Sequence, residues 1–170
     1  MKDGELLWRD GRYELRFERT LDHPAARVWE AITTPAGLAA WFPFDVEGER
    51  RTGAPLRFVF REGEAEDFTG EMVEFTPQSA IELRWGGEET VRLELAPSGS
   101  GCVLRLINRF DELGKAARDA AGWHTCLDLL EAALSGEPAA FESSERWRSV
   151  HPTYVERFGP EAATIGPPGA

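Results

Sequence analysis

Between Arg12 and Leu21, the residues Tyr13, Leu15, Phe17 and Leu21 fall on one parity and Arg12, Glu14, Arg16 and Glu18 on the other, the alternation of a strand with one wet face. At His23 the period changes. Pro24 has the fixed φ that suits a helix entrance, and Val28, Trp29 and Ile32 form an apolar stripe at helical spacing. Thr34 precedes Pro35 and is pushed out of the α region, so this first short helix stops there, and a second carries Leu38, Trp41 and Phe42 up to Pro43. Helices this short cannot bury themselves and must lie across something larger.

Strand periodicity returns after Phe42. Leu56, Phe58 and Phe60 alternate with Arg57, Val59 and Arg61. Residues 68–75, 81–85, 91–95 and 102–110 then read as strands, separated by the acidic REGEAED turn, by Gly86-Gly87 and by the Pro97–Gly101 loop. Short connections favour antiparallel neighbours in a meander. From Asp111 the spacing is helical again: Leu113, Ala116, Ala120, Trp123, Leu127, Leu130 and Leu134 recur every three or four positions, and Gly136 is the expected stop. The order is strand, two short helices, five strands and one long helix. This predicts an α+β chain in which a six-stranded antiparallel sheet is covered on its apolar face by the long helix. Residues 1–136 make that domain. Residues 137–170 form a tail of different character, in which Phe141, Trp147, Tyr154 and Phe158 stand among charges. Segments near 142–150 and 153–158 have the character of short helices that pack back on the domain or on a second subunit, and the final IGPPGA is disorder-prone in composition.

Composition narrows the function. A chain of 170 residues can bury a substantial core. Its net charge of −11, with no basic patch, argues against a nucleic-acid partner and against anionic membranes. No apolar run approaches the roughly 18 residues of a spanning helix, and MKDGELLWRD lacks the apolar core of a signal peptide, so a cytoplasmic location is expected. Cys102 and Cys126 lack metal-ligand spacing and read as reduced thiols. No phosphate-binding glycine loop, zinc spacing or nucleophile elbow occurs, so no metal, cofactor or catalytic residue is expected. Glu62, Glu64, Glu66 and Asp67 read as a solvated turn. Arg57, Arg61, Arg84, Arg92, Arg105 and Arg109 alternate with glutamates opposite the apolar positions, the pattern of a cross-strand charge ladder.

Parity selects the residues that would line a cavity between sheet and helix. These are Phe58, Phe60, Trp85, Leu104, Leu106 and Asn108 from the sheet and Trp123, Leu127 and Leu130 from the helix, with Trp41 and Phe42 at the mouth. Six tryptophans supply large rigid walls. A dry cavity of about 300 Å³ would cost about 7 kcal/mol, so such a space is filled by ligand or water, or has collapsed. Asn108 either hydrogen-bonds inside the cup, where it could orient a ligand, or caps the loop after its strand. His124 stands at the edge of the helical stripe and is counted with the ligand-binding residues, or with Asn108 as a proton-transfer group in an enzyme; Asp128 is one turn away, and Cys126, two residues away, is on another face, which counts against a Cys–His dyad.

The residues HPAARVWEAITTPAGLAAWF, then FTGEMVEFTPQSAIELRW, GCVLRLINRF and GWHTCLDLLEAALSG, resemble the START-like (SRPBCC) superfamily over roughly residues 10–136. Within it they are similar to the bacterial branch related to the C-terminal domain of activators of heat-shock-protein ATPase. The resemblance implies a helix-grip fold, a curved antiparallel sheet wrapped on the C-terminal helix, with the short helix pair closing one mouth of a cavity. It also implies binding of a hydrophobic or aromatic small molecule, with a cyclase- or aromatase-like enzyme and a chaperone-ATPase-interacting protein as alternatives. Parity offers only one or two polar groups to such a cavity, which speaks against the enzyme. The activators carry a separate N-terminal domain that these residues do not match, so co-chaperone activity is not carried over. A homodimer through a sheet edge or the tail is compatible with the pattern.

Overall fold

A computed structural model describes residues 2–61 and 65–167. Its elements are β1 (Glu5–Arg9), β2 (Arg12–Leu21), α1 (Ala25–Thr33), α2 (Pro35–Ala39), β3 (Asp45–Glu47), β4 (Pro55–Val59), β5 (Phe68–Thr76), β6 (Ala80–Trp85), β7 (Glu89–Ser98), β8 (Gly101–Phe110), α3 (Ala116–Ser135) and α4 (Ser143–Phe158). The strands form one antiparallel sheet in the order β1-β2-β8-β7-β6-β5-β4-β3. This is the helix-grip arrangement, with eight strands where six were expected. The additional β1 is joined to β2 by Asp10-Gly11, whose φ values of 51° and 76° make a tight hairpin turn matched to the strand twist. The additional β3 has only three residues, too few for alternation to show.

The helix breaks follow local chemistry. Thr34 is extended (φ −77°, ψ 151°), ending α1, and its hydroxyl accepts the Gly37 amide at 3.0 Å at the start of α2. Gly136 closes α3 in the left-handed region at φ 77°. That helix begins at Ala116, after a single 3-10 turn over Leu113–Lys115, because the chain must first leave β8.

One core joins the sheet to the helices, with Leu15, Phe17, Leu104 and Leu106 on the strands and Leu127, Leu130 and Leu134 on α3. A register shift between Met72 and Glu74 interrupts the β5–β6 ladder, the kind of bulge that bends a sheet. The outer face carries the charge ladder, including Arg105 with Glu18 at 2.8 Å, Arg92 with Glu94 at 2.7 Å, and Arg84 with Glu71. Of the acidic turn, Glu62 and Glu64 lie outside the described residues, while Asp67 pairs with Arg57. The last three residues of IGPPGA also lie outside them. Residues 143–158 form one helix that runs through Pro152 and packs on α3, burying Val150 and Tyr154 one turn apart. Ile165 then donates to the Gly114 carbonyl at 3.0 Å, fastening the chain beside the start of α3.

Candidate functional site

The largest aromatic concentration lies at one end of the sheet, where β4, β5 and β6 meet the first turns of α3. Gly70 on β5 permits it, since a Cβ there would come within 2.0 Å of the Arg84 carbonyl and 2.7 Å of the Phe58 ring. Phe58 stacks on Phe68 at 5.0 Å and meets Trp85 edge-on at 5.6 Å. Trp85 in turn lies nearly parallel to Trp123 of α3, with centroids 5.9 Å apart and planes 17° apart. Phe42 touches both indoles from behind, at 6.0 and 5.7 Å, and Phe44 meets Trp85 edge-on at 5.6 Å. Arg61 holds Phe44 in place by donating to its carbonyl at 3.1 Å.

Beside these rings opens a cleft of about 400 Å³. Trp85, Trp123, Phe44 and Pro43 form its apolar wall, and Gly122 and Cys126 form its floor on α3. Trp147 of α4 closes the far side. Its indole N–H donates to the Arg118 carbonyl at 3.2 Å, and its ring is backed by His151 at 4.4 Å. The rim is charged and internally paired: Lys115 bonds Glu89 and lies 3.4 Å from Asp119, which accepts from Arg118 at 2.8 Å. Burial pushes the Cys126 thiol up to about 12, against the influence of Arg61, so this sulfur is wall and not nucleophile.

Asn108 connects the cleft to the core. It is fully buried, donates to Glu89 at 3.0 Å and to the Thr90 carbonyl at 3.1 Å, and accepts the Trp123 indole N–H at 3.2 Å. One side chain thereby orients both an acidic rim residue and an aromatic wall residue. It neither caps a loop nor lines the cleft.

The expected site residues divide accordingly. Trp85 and Trp123 face the cleft, and Phe42, Phe58 and Phe60 belong to the aromatic cluster behind it. Leu104, Leu106, Leu127 and Leu130 are buried core and fill the space between sheet and helix. Trp41 is 2 % exposed and donates to the Ala31 carbonyl at 2.9 Å, so it forms no open mouth; the opening lies beyond it, at Pro43 and Phe44. Lys115, Glu89, Asp119 and Trp147 were not anticipated, because they come from a 3-10 turn, a strand start, the polar side of the first turn of α3 and the tail. Gly122 carried a readable signal as a glycine inside a helix.

His124 faces away from the cleft, into a buried latch between α3, α4 and the N-terminal segment. Its Nδ1 is 2.8 Å from the Tyr154 hydroxyl, which also accepts the Gly4 amide at 2.9 Å. Its Nε2 is 3.2 Å from the Arg146 guanidinium. A guanidinium only donates, so Nε2 accepts and the ring proton sits on Nδ1. Asp128 joins Arg146 at 2.7 Å to Arg19 at 2.8 Å, and Arg19 is 2 % exposed on the apolar face of β2. Burial lowers the His124 pKa and pushes Tyr154 up to about 12.

The family profile described as Activator of Hsp90 ATPase homolog 1-like protein matches residues 22–135. The chain belongs to this family. No curated protein matches it. Among solved structures, CalU16 from Micromonospora echinospora is similar over 91 % of this chain and 98 % of its own, with 21 % identity and a TM-score of 0.72. A conserved protein of unknown function from Enterococcus faecalis, EF2215, covers 92 % of each chain at 14 % identity and TM-score 0.72. DynU16, a protein in the dynemicin biosynthetic locus, has 25 % identity and a TM-score of 0.64 over 75 % of this chain and 49 % of its own. α4, which supplies Trp147, lies beyond the residues matched by the Hsp90-activator-like profile. Among the described residues no helix is long and apolar enough to cross a membrane, and no group of three or more His, Cys, Asp or Glu is placed to hold a metal ion.

Proposed function

We propose that this chain binds a flat hydrophobic or aromatic small molecule in the cleft between Trp85, Trp123 and Trp147. The observation that carries the reading is Gly122. A glycine inside a helix costs about 0.5–1 kcal/mol relative to alanine, and a Cβ built at Gly122 has no neighbour within 4 Å. Packing therefore does not require this glycine, and its effect is to leave the cleft floor bare. Membership of a fold that includes DynU16 of a biosynthetic locus is consistent with a ligand-handling role. A thermal-shift series with apolar and polycyclic aromatic compounds tests it. A ligand at 100 times its Kd adds about 2.7 kcal/mol to the native chain, and the Gly122→Leu variant should remain folded and lose that shift. The reading fails if no compound stabilises the native chain, or if the variant is stabilised equally.

A second reading has its own observation. Glu89, Lys115, Arg118 and Asp119 all converge on the cleft rim, more polar groups than parity had offered. In a cyclase-like enzyme, Glu89 would exchange a proton with a substrate held against the tryptophans. Glu89→Gln should then retain binding and lose turnover, and unchanged turnover removes Glu89 from that role.

A further inference from the structure

The sheet ends on two unlike edges. β3 is a three-residue strand, whereas β1 has five residues in regular register with β2 and carries no proline, lysine or bulge, the devices that usually blunt an edge. In a two-residue hairpin the pair flanking the turn, here Arg9 and Arg12, exchanges backbone hydrogen bonds, and the bonding then alternates along the strand. Arg9, Leu7 and Glu5 therefore bond inward to β2. The amides and carbonyls of Leu6 and Trp8 point outward, where β1 has no neighbouring strand.

Side chains tell the same story. Trp8 is 62 % exposed, the exposed large apolar residue among the described residues, and leans edge-on against Tyr13 at 4.7 Å. Glu5 and Arg9 share the outer face with the charge ladder. The ladder's other arginines have carboxylate partners: Arg12 has Asp111, Arg16 has Glu14, Arg109 has Asp10. Among the lysines and arginines of the described residues, Arg9 is the one with neither an ion pair nor a side-chain hydrogen bond, although it lies opposite Arg12, and Glu5 likewise has no ion pair although it lies opposite Arg16.

We infer that β1 pairs with β1 of a second copy of this chain. The segment Glu5-Leu6-Leu7-Trp8-Arg9 is its own antiparallel complement about Leu7. Leu6 meets Trp8 of the second copy at the positions whose backbone groups are free, and both exchange amide–carbonyl bonds. Glu5 meets Arg9 of the second copy, and Arg9 meets its Glu5, so the charges the isolated chain leaves unpaired become mutually paired. The two sheets join into one across a two-fold axis. An interface built on one short strand per copy is small, and the association is concentration-dependent.

Sedimentation of the untagged full-length chain tests this, since a tag would sit beside β1. The native chain should show reversible monomer–dimer equilibrium. Glu5→Arg alone sets arginine against arginine at both symmetric sites, and Arg9→Glu alone sets glutamate against glutamate. Each should weaken self-association at least about tenfold. An equimolar mixture of the two variants restores every opposite-charge pair and should dimerise as the native chain does. That rescue also shows that neither variant merely failed to fold. A native chain that stays monomeric, single variants that associate like the native chain, or a mixture that does not recover would each overturn the pairing.

Discussion

Trp123 and His124 are adjacent in sequence and serve different faces of α3, one facing the aromatic cleft and the other the latch under α4. Both regions join α3 to α4 and both contain charges, but the partners are arranged differently. In the latch, Arg19, Asp128, Arg146, His124 and Tyr154 bond one another inside the fold, and the shifted titration of His124, Asp128 and Tyr154 is a consequence of that closure. At the cleft, the charges pair along a rim around a space that no side chain occupies. The linked set of shifted groups thus marks the fastening of the tail, whereas at the cleft the shifted group is the single thiol of Cys126, and the candidate site is located by open volume, bare backbone and flat walls.

The comparison breaks most severely at Asp128. Asp128→Ala removes the central acceptor of Arg19 and Arg146, and Arg19 keeps only Glu131, at 3.4 Å, inside the fold. A charge stranded in this way costs about 3–5 kcal/mol, read as a lower denaturation midpoint, while ligand binding by the folded fraction is retained because the cleft does not use Asp128. A loss below about 1 kcal/mol, the range of exposed pairs, would mean the latch does not hold the tail.

The latch also has a signature in pH. Burial holds His124 below its ordinary 6.5, with Arg19 and Arg146 adding to the effect and Asp128 and Asp3 opposing it. Below pH 6.5 the unfolded chain then binds more protons than the folded one, so the stability contributed by the neutral ring is present above 6.5 and is lost as pH falls through the folded pKa. Asp128 has the same sign at lower pH: burial would raise it, yet the bonds from Arg146 and Arg19 hold it below 3.8, and its contribution disappears as that carboxylate protonates. His151 is lowered by burial as well, with the same sign. Thermal melts of the native chain and His124→Gln from about pH 8 to about pH 4 separate these terms, with the variant losing the upper part of the slope only. An unaltered slope would assign it to His151.

How much of this was legible follows from the range of the interactions. Alternation and helical spacing placed six strands and the long helix, because each signal is repeated within one element. β1 went unread: Asp10-Gly11 carries a hairpin signal, but the strand before it is too short for alternation to support it. Arg19 breaks the apolar parity of β2 between Phe17 and Leu21, a visible interruption whose meaning depended on Asp128, more than a hundred residues away in the chain and beneath it in space. The cleft was least legible. Parity chose Leu104 and Leu127 for a cavity that their own volume fills, whereas Lys115 reaches the opening from the irregular turn before α3 and Trp147 only after α4 has folded back.

Gly122→Ala gives the smallest effect and the sharpest separation. Alanine removes the glycine penalty of a helix interior, and its methyl group meets no atom within 4 Å, so the chain should gain about 0.5–1 kcal/mol in thermal denaturation. The latch is untouched, so the pH dependence keeps its shape. The methyl group projects into the cleft, and a flat ligand packed between Trp123 and Trp147 should bind more weakly even though its receptor has become more stable. A stabilised variant with undiminished affinity would separate Gly122 from ligand binding and leave the bare floor as a packing accident. Stability and affinity moving in opposite directions on one methyl group is the behaviour of a site in which helix propensity has been given up for space.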